Sequence, residues 1–322
     1  MIRSFYHHGA EVPATDLTRE QMRAALADAG GVLWVDMLAP NPEIAEKILT
    51  RAFGFHPLTI SDCLQGVRYP KLDDYGDYIF FVLQADDRSD PVEEVNTVEL
   101  DVFLGPNFVV THHPLPLPAI DRVVERAMKD ELLMTLGADI LAFELLRAVV
   151  SDYQPTVDFL SAAVAGVEVE VLTTATGNTL RRMHELRHDI LKVQRTLAPQ
   201  QEIMNRLAEY EFQPIEAQNR PYFRELGDRF AHMVGATETL DYAIRSAFRA
   251  HLSMASNQNK QMLRLVAAIV SALLPLTFLA LLYNTGVLVH PVLSLAYADA
   301  AVAGVALLAG ILLALYVYNH RW

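Results

Sequence analysis

Two uncharged runs near the C-terminus constrain this chain more than any other feature. Leu265–Leu282 has 18 residues and Ala300–Tyr318 has 19, and neither contains a charged side chain. A helix needs about 20 apolar residues to cross the hydrocarbon core of a bilayer, with about 17 the lower end. Tyr283 extends the first run, and Tyr316, Tyr318 and Trp322 close the second, as aromatic residues do at membrane interfaces. Pro275 predicts a kink of the kind that neighbouring helices tolerate. Gly304 and Gly310 permit close helix packing. The runs are read as two transmembrane helices. Arg245, Arg249, Lys260 and Arg264 precede the first and Arg321 follows the second, with no Lys or Arg between Tyr283 and Asn319. This asymmetry predicts cytoplasmic termini and an external loop, Tyr283–Ser294.

From Leu265 onward only Asp299 and Arg321 are charged, so the net charge of −13 belongs to the first 264 residues. An acidic domain argues against nucleic acid as a partner, because phosphate binding needs a basic face. It does suit the concentration of cations near a pore mouth. The single cysteine, Cys63, excludes an intrachain disulfide and suits a reducing compartment. Met1–Ala10 holds no apolar core of signal-peptide length, so the N-terminal domain is expected not to be secreted.

The first third of the chain reads as alternating strands and helices. Gly31–Asp36, Tyr78–Leu83, Val95–Leu104 and Phe108–His112 are rich in β-branched and aromatic residues. Arg19–Ala29 and Glu43–Phe53 carry helical patterns, the latter after Pro42. Beyond the Pro-rich stretch His113–Pro118, apolar spacing predicts helices over Ala119–Lys129, Ala138–Val171 and Thr179–Leu197, with Pro199, Pro214 and Pro221 as punctuation. Tyr222–Tyr283 contains one proline, Pro275, and predicts a single helix of 62 residues, roughly 93 Å long. The expected fold is therefore α+β with a membrane part. Residues 1–220 form a cytoplasmic α/β plus helical domain, 221–263 a stalk helix, and 264–322 a transmembrane domain. Its spans fall at about 264–283 and 299–318, around a loop at 284–298.

This order of parts resembles the CorA family of divalent-cation channels and transporters. Trp34-Val35-Asp36 with Pro40 is similar to the family's WVDL…P strand. His56–Asp62 and Arg68–Tyr75 are similar to its HPL.IED…RPK.D.Y stretch, and Phe103–His112 to its FLG.N.VVT.H hairpin. Tyr222–Leu226 resembles YFRDL on the stalk, Ser256–Asn259 its SN..N turn, and Pro275–Phe278 its PLTF. The resemblance implies a homopentamer in the cell inner (plasma) membrane, with a pore lined by the first span. The chain departs from the family where magnesium members carry Tyr-Gly-Met-Asn. Here Tyr283-Asn284-Thr285-Gly286 stands, and Val287–Pro291 is closer in shape to the loop of the ZntB branch.

A pore for hydrated divalent cations needs oxygens that hydrogen-bond the retained waters. Asn284 and Thr285 supply an amide and a hydroxyl, and Gly286 frees a carbonyl. Asn259, Leu263, Val266, Val270, Leu274, Thr277 and Leu281 complete the predicted pore face, and its apolar members suit gating by dewetting. Thr277 has a plainer reading, a hydroxyl bonded to its own backbone. On the stalk, Glu225 and Asp228 form a candidate regulatory metal site, and His290 in the loop is a soft-metal contact that suits zinc. Divalent cations (Mg2+, Zn2+, Co2+ or Ni2+) are then substrate and regulator, the lipid bilayer and further copies of the chain are the partners, and no cofactor is expected. Two other readings compete. The altered 284–286 segment suits a non-conducting membrane scaffold. His184-Glu185-Leu186-Arg187-His188 is an HExxH pattern, which on a helix can hold zinc with the Glu as general base and Glu209 or Glu211 as a third ligand. His7-His8 and His112-His113 read as surface and strand-end residues.

Overall fold

The computed structural model describes residues 1–9, 14–67, 69–87, 95–129, 132–173, 177–284, 304, 307–312 and 315–316; several side chains between 255 and 284 also lie outside the described set. The chain divides into two compact units, Met1–Ser246 and Ala247–Trp322.

The first unit is built on a seven-stranded sheet of order β2-β1-β3-β7-β6-β5-β4. The strands are β1 (Ile2–His8), β2 (Ala14–Thr15), β3 (Gly31–Leu38), β4 (Lys71–Asp74), β5 (Ile79–Asp86), β6 (Thr97–Leu104) and β7 (Phe108–His113). Only the β3–β7 pair is parallel. One face carries Leu33, Val35, Met37, Phe80, Val82, Phe103 and Val110. It packs under α1 (Arg19–Ala27), α2 (Pro42–Ile48), a π turn (Leu49–Phe53) and α3 (Pro57–Gln65). The opposite face, with Phe5 and Trp34, lies under α4 (Pro118–Lys129), α5 (Leu132–Thr135), α6 (Ala138–Thr173) and α7 (Gly177–Glu209). Being covered on both sides makes β3 and β5 nearly continuous apolar runs.

Local chemistry explains several boundaries. Thr18 caps α1 through a capping box: its hydroxyl accepts from Gln21 N at 3.3 Å, and Gln21 Oε1 accepts from Thr18 N at 2.8 Å. Thr18→Ala is expected to cost about 1 kcal/mol, read as a lower melting temperature of the purified chain. The Gly105–Phe108 turn is closed because a Cβ at Gly105 would lie 2.1 Å from the Phe108 ring. Asn107 Nδ2 donates to the carbonyls of Leu26 (3.2 Å) and Asp28 (3.0 Å), tying the turn to the end of α1.

The remaining long helix, α8, spans Arg220–Asn284, 65 residues, close to the predicted 222–283. Its buried residues in the first unit, Phe223, Leu226, Phe230, Met233, Thr237, Leu240 and Ile244, recur at three- and four-residue spacing. Phe143 and Tyr153 of α6 meet Phe223 and Phe230. Gly227 lets α7 approach, since a Cβ there would lie 2.5 Å from Asn205 Oδ1.

Four expectations are corrected. The helix predicted over Thr179–Leu197 runs on to Glu209, through Pro199, because tertiary packing buries Leu197, Gln200 and Ile203 and outweighs the missing N–H. β1 and β4 were not predicted; β1 mixes Arg, Ser and His into its apolar pattern, and β4 is only four residues long. The helical stretch after Pro42 splits into α2 and the π turn, ended by Gly54 at φ +73°. Both histidine pairs do end strands, β1 and β7, but only His8 is exposed, whereas His7 and His113 are buried at 2% and 1% exposure.

Candidate functional site

Asn259, Leu263, Val266, Val270, Leu274, Thr277 and Leu281 all lie on α8, spaced three or four apart, and all are exposed in the single chain. The Thr277 hydroxyl donates to the Leu274 carbonyl at 2.9 Å, so its proton is used locally while its lone pairs stay available to accept. Asn284 is the last residue of α8. Its side chain, together with Thr285, Gly286 and His290, lies outside the described residues. Among the described residues, no helix is long and apolar enough to cross a membrane. The predicted second span is described at only a few positions.

Glu225 and Asp228 are exposed on α8, on the side opposite the buried seam, and Glu225 pairs with Arg229 at 2.7 Å. The HExxH reading is overturned. His184, Glu185 and His188 are exposed on α7, and Glu185 faces Arg181 at 3.9 Å. Glu209 ends the same continuous helix, about 31 Å from His188 at 1.5 Å per residue. Glu211 pairs instead with Arg220.

The buried polar chemistry lies in the sheet. Register sets Arg3, Asp36 and Thr111 side by side on β1, β3 and β7. Asp36 Oδ2 accepts from Arg3 Nε (3.0 Å) and Nη2 (2.7 Å). Its Oδ1 accepts from the Thr111 hydroxyl (2.6 Å) and faces His113 Nε2 (3.2 Å). Trp34 Nε1 donates to Thr111 at 3.1 Å, and Arg3 reaches on to Asp121 of α4. Desolvation pushes the Asp36 carboxyl upward, but the His113 bond and charge, with the Thr111 and Arg3 bonds, outweigh it and hold it below its ordinary value.

A second cluster, missed in the sequence, lies on the opposite face. Cys63 of α3, Asp101 of β6 and His112 of β7 each bring one ligand-type atom within 4.8 Å of the others. Burial raises the Cys63 thiol well above its usual value, and the Asp101 charge adds to this. Burial also raises Asp101 against the pull of His112. Glu99 is raised to about 7, by desolvation first and the Asp101 charge second, although Val67 N donates to it. The signals were the lone cysteine and two polar residues on inward-facing strand positions.

Against known proteins, the family profile described as CorA-like Mg2+ transporter protein matches residues 29–321. This chain belongs to the CorA-like family. The Bacillus subtilis (strain 168) protein YfjQ is 27% identical over 282 residues, covering 87% of each chain. The cobalt/magnesium transport protein CorA of Thermotoga maritima is 23% identical over 296 residues, covering 92% of this chain and 84% of that one. The fold matches the complete structure of the CorA magnesium transporter from Methanocaldococcus jannaschii with a TM-score of 0.74 at 15% identity, covering 99% and 98%.

The CorA-like family is one of metal-ion transporters, not of enzymes. Several of the CorA-like motif residues on and beside the sheet hold the first unit together. Trp34, Asp36 and Thr111 make the buried network. Lys71 pairs with Asp62 (2.5 Å) and Asp73 (2.7 Å), and Tyr75 stacks on Tyr78 at 5.0 Å.

Proposed function

We propose that the chain carries divalent metal cations across the cell inner membrane through a pore lined by the end of α8, in a homopentamer with both termini cytoplasmic. The observation that carries this reading is the apolar end of α8. Leu265, Ile269, Leu273 and Phe278 are between 51% and 59% exposed in the single chain, and Leu263, Val266, Val270, Leu274 and Leu281 of the predicted pore face between 50% and 69%. A helix apolar on every side is stable only when lipid or other copies cover it. The family match, which runs to residue 321, supports the same reading.

In this reading Leu265–Leu282 and Ala300–Tyr318 are the spans, and apolar side chains from Leu263 to Leu281 form a hydrophobic constriction. Asn284 and Thr285 at its outer mouth, multiplied by five, accept hydrogen bonds from the waters that a magnesium ion keeps. Glu225 and Asp228 bind intracellular cation and hold the pore shut, and His290 favours softer ions such as zinc.

Cells lacking their own magnesium uptake provide the test. Expression of the chain is expected to restore growth at low magnesium, and Asn284→Ala to reduce cation uptake at least tenfold, about 1.4 kcal/mol at the barrier. Glu225→Ala is expected to leave uptake active but less inhibited by internal cation. Protein that reaches the membrane yet supports no uptake of any divalent cation would favour the non-conducting scaffold, for which the Asn284-Thr285-Gly286 departure speaks.

A further inference from the structure

The cluster on the α1–α3 face of the sheet has no part in the pore reading, since none of its residues lies on α8. Asp101 and His112 are paired directly across β6 and β7, and Cys63 reaches them from α3. Asp101 is fully buried, Cys63 is 1% exposed and the His112 side chain 12%. Apolar neighbours on this face include Phe103 and Val110.

Two features of the cluster ask for a cation. First, Asp101 Oδ2 meets His112 Nδ1 at 2.9 Å, but Oδ1 is buried with no hydrogen-bond partner, although the Cys63 thiol acts on the same carboxyl. A buried acceptor left in this way costs about 1–3 kcal/mol, and more if charged. Second, the surrounding charge is acidic: Glu99 and Asp62 act on the Cys63 position, and Lys71 is already engaged by Asp62 and Asp73.

We propose that Cys63, Asp101 and His112 bind one zinc-class cation within the soluble domain. A thiolate, an imidazole and a carboxylate form the mixed S, N, O set that suits Zn2+ or Co2+, whereas Mg2+ prefers oxygen ligands alone. Bonds of about 2.0–2.3 Å put tetrahedral donors roughly 3.3–3.8 Å apart. Donors already within 4.8 Å of one another need contract by only about an ångström. The Asp101–His112 pair must open by a few tenths. On binding, the Cys63 S–H bond breaks, its proton leaves to solvent and the sulfur lone pair forms the metal bond. Thiolate and carboxylate neutralise the two positive charges, and water takes the fourth position. The metal then ties α3 to β6 and β7.

The test uses the purified full-length chain, stripped with chelator and titrated with Co2+ in excess Mg2+. Cys63 is the only thiol in the chain, so a thiolate-to-cobalt charge-transfer absorption can arise only there. The expected result is that absorption together with tetrahedral visible bands, saturating at one cobalt per chain and abolished by Zn2+. Zn2+ should also raise the melting temperature. Cys63→Ser should lose the absorption, and His112→Ala should weaken retention beyond the 10–100-fold known for groups that only support a ligand. Wild-type protein that binds Co2+ without a thiolate band, or retains Zn2+ no better than a folded Cys63→Ser variant, would overturn the proposal.

Discussion

Asp36→Ala is expected to cost about 3–5 kcal/mol of folding stability, the range for removing one partner of a buried ion pair. Asp36 is fully buried and is the sole carboxylate facing Arg3 Nε, the Thr111 hydroxyl and His113 Nε2 among the described residues. Truncation leaves the Thr111 hydroxyl and His113 Nε2 buried without their anion and Arg3 with Asp121 alone, in a part of the sheet covered by helices. The check is a thermal or denaturant melt of the detergent-solubilised chain beside Asp36→Asn. The asparagine keeps the shape and part of the bonding, so it should lose less. The pH dependence separates charge from packing. The folded carboxyl lies below its unfolded value of about 4. Its contribution is therefore fully present above about pH 4 and is lost as pH falls through the lower folded value. Asp36→Asn should lack that part of the acid-side slope. Equal slopes in both proteins would show that the carboxylate is not the stabilising anion.

Leu274→Lys is expected to reduce divalent cation flux at least 100-fold. On a water-exposed helix face the same change alters stability by no more than about 0.5 kcal/mol. Leu274 is 60% exposed in the single chain, so the single-chain structure alone gives no reason for a large effect. In the proposed pore, five ammonium groups would face one another in an apolar constriction and repel every approaching cation. A charge at a bilayer centre also costs about 2.5–3.5 kcal/mol on insertion scales. Flux should be compared per inserted protein, so that an assembly defect is not read as a blocked pore. Undiminished flux would remove Leu274 from the ion path.

How much was legible in the sequence varied with the physical signal. Long helices were readable because their apolar spacing repeats many times: α6 was predicted as Ala138–Val171 and found as Ala138–Thr173, and α8 started within two residues of its prediction. β1 was not readable, because Arg3 and His7 point into the protein and break the alternation expected of a half-buried strand. Arg3 is held there by Asp36 opposite it across the sheet and by Asp121 of α4, pairings that no local pattern announces. The same holds for Cys63, Asp101 and His112, which lie on three separate elements. HExxH fails as a metal site for the converse reason. Its local spacing was right, but one unbroken helix carries Glu209 away from His188. The motifs shared with the CorA-like family identified it correctly, yet those around Trp34, Lys71 and Thr111 report a folded sheet rather than an ion path.

The most direct measurement is cation entry into liposomes holding the purified chain, with Mg2+, Co2+, Ni2+ and Zn2+ compared with and without a pH gradient. A divalent cation transporter predicts entry of at least one of these ions well above empty liposomes, and its loss in Leu274→Lys. Entry of none of them, by protein shown to be inserted in the bilayer, would contradict it.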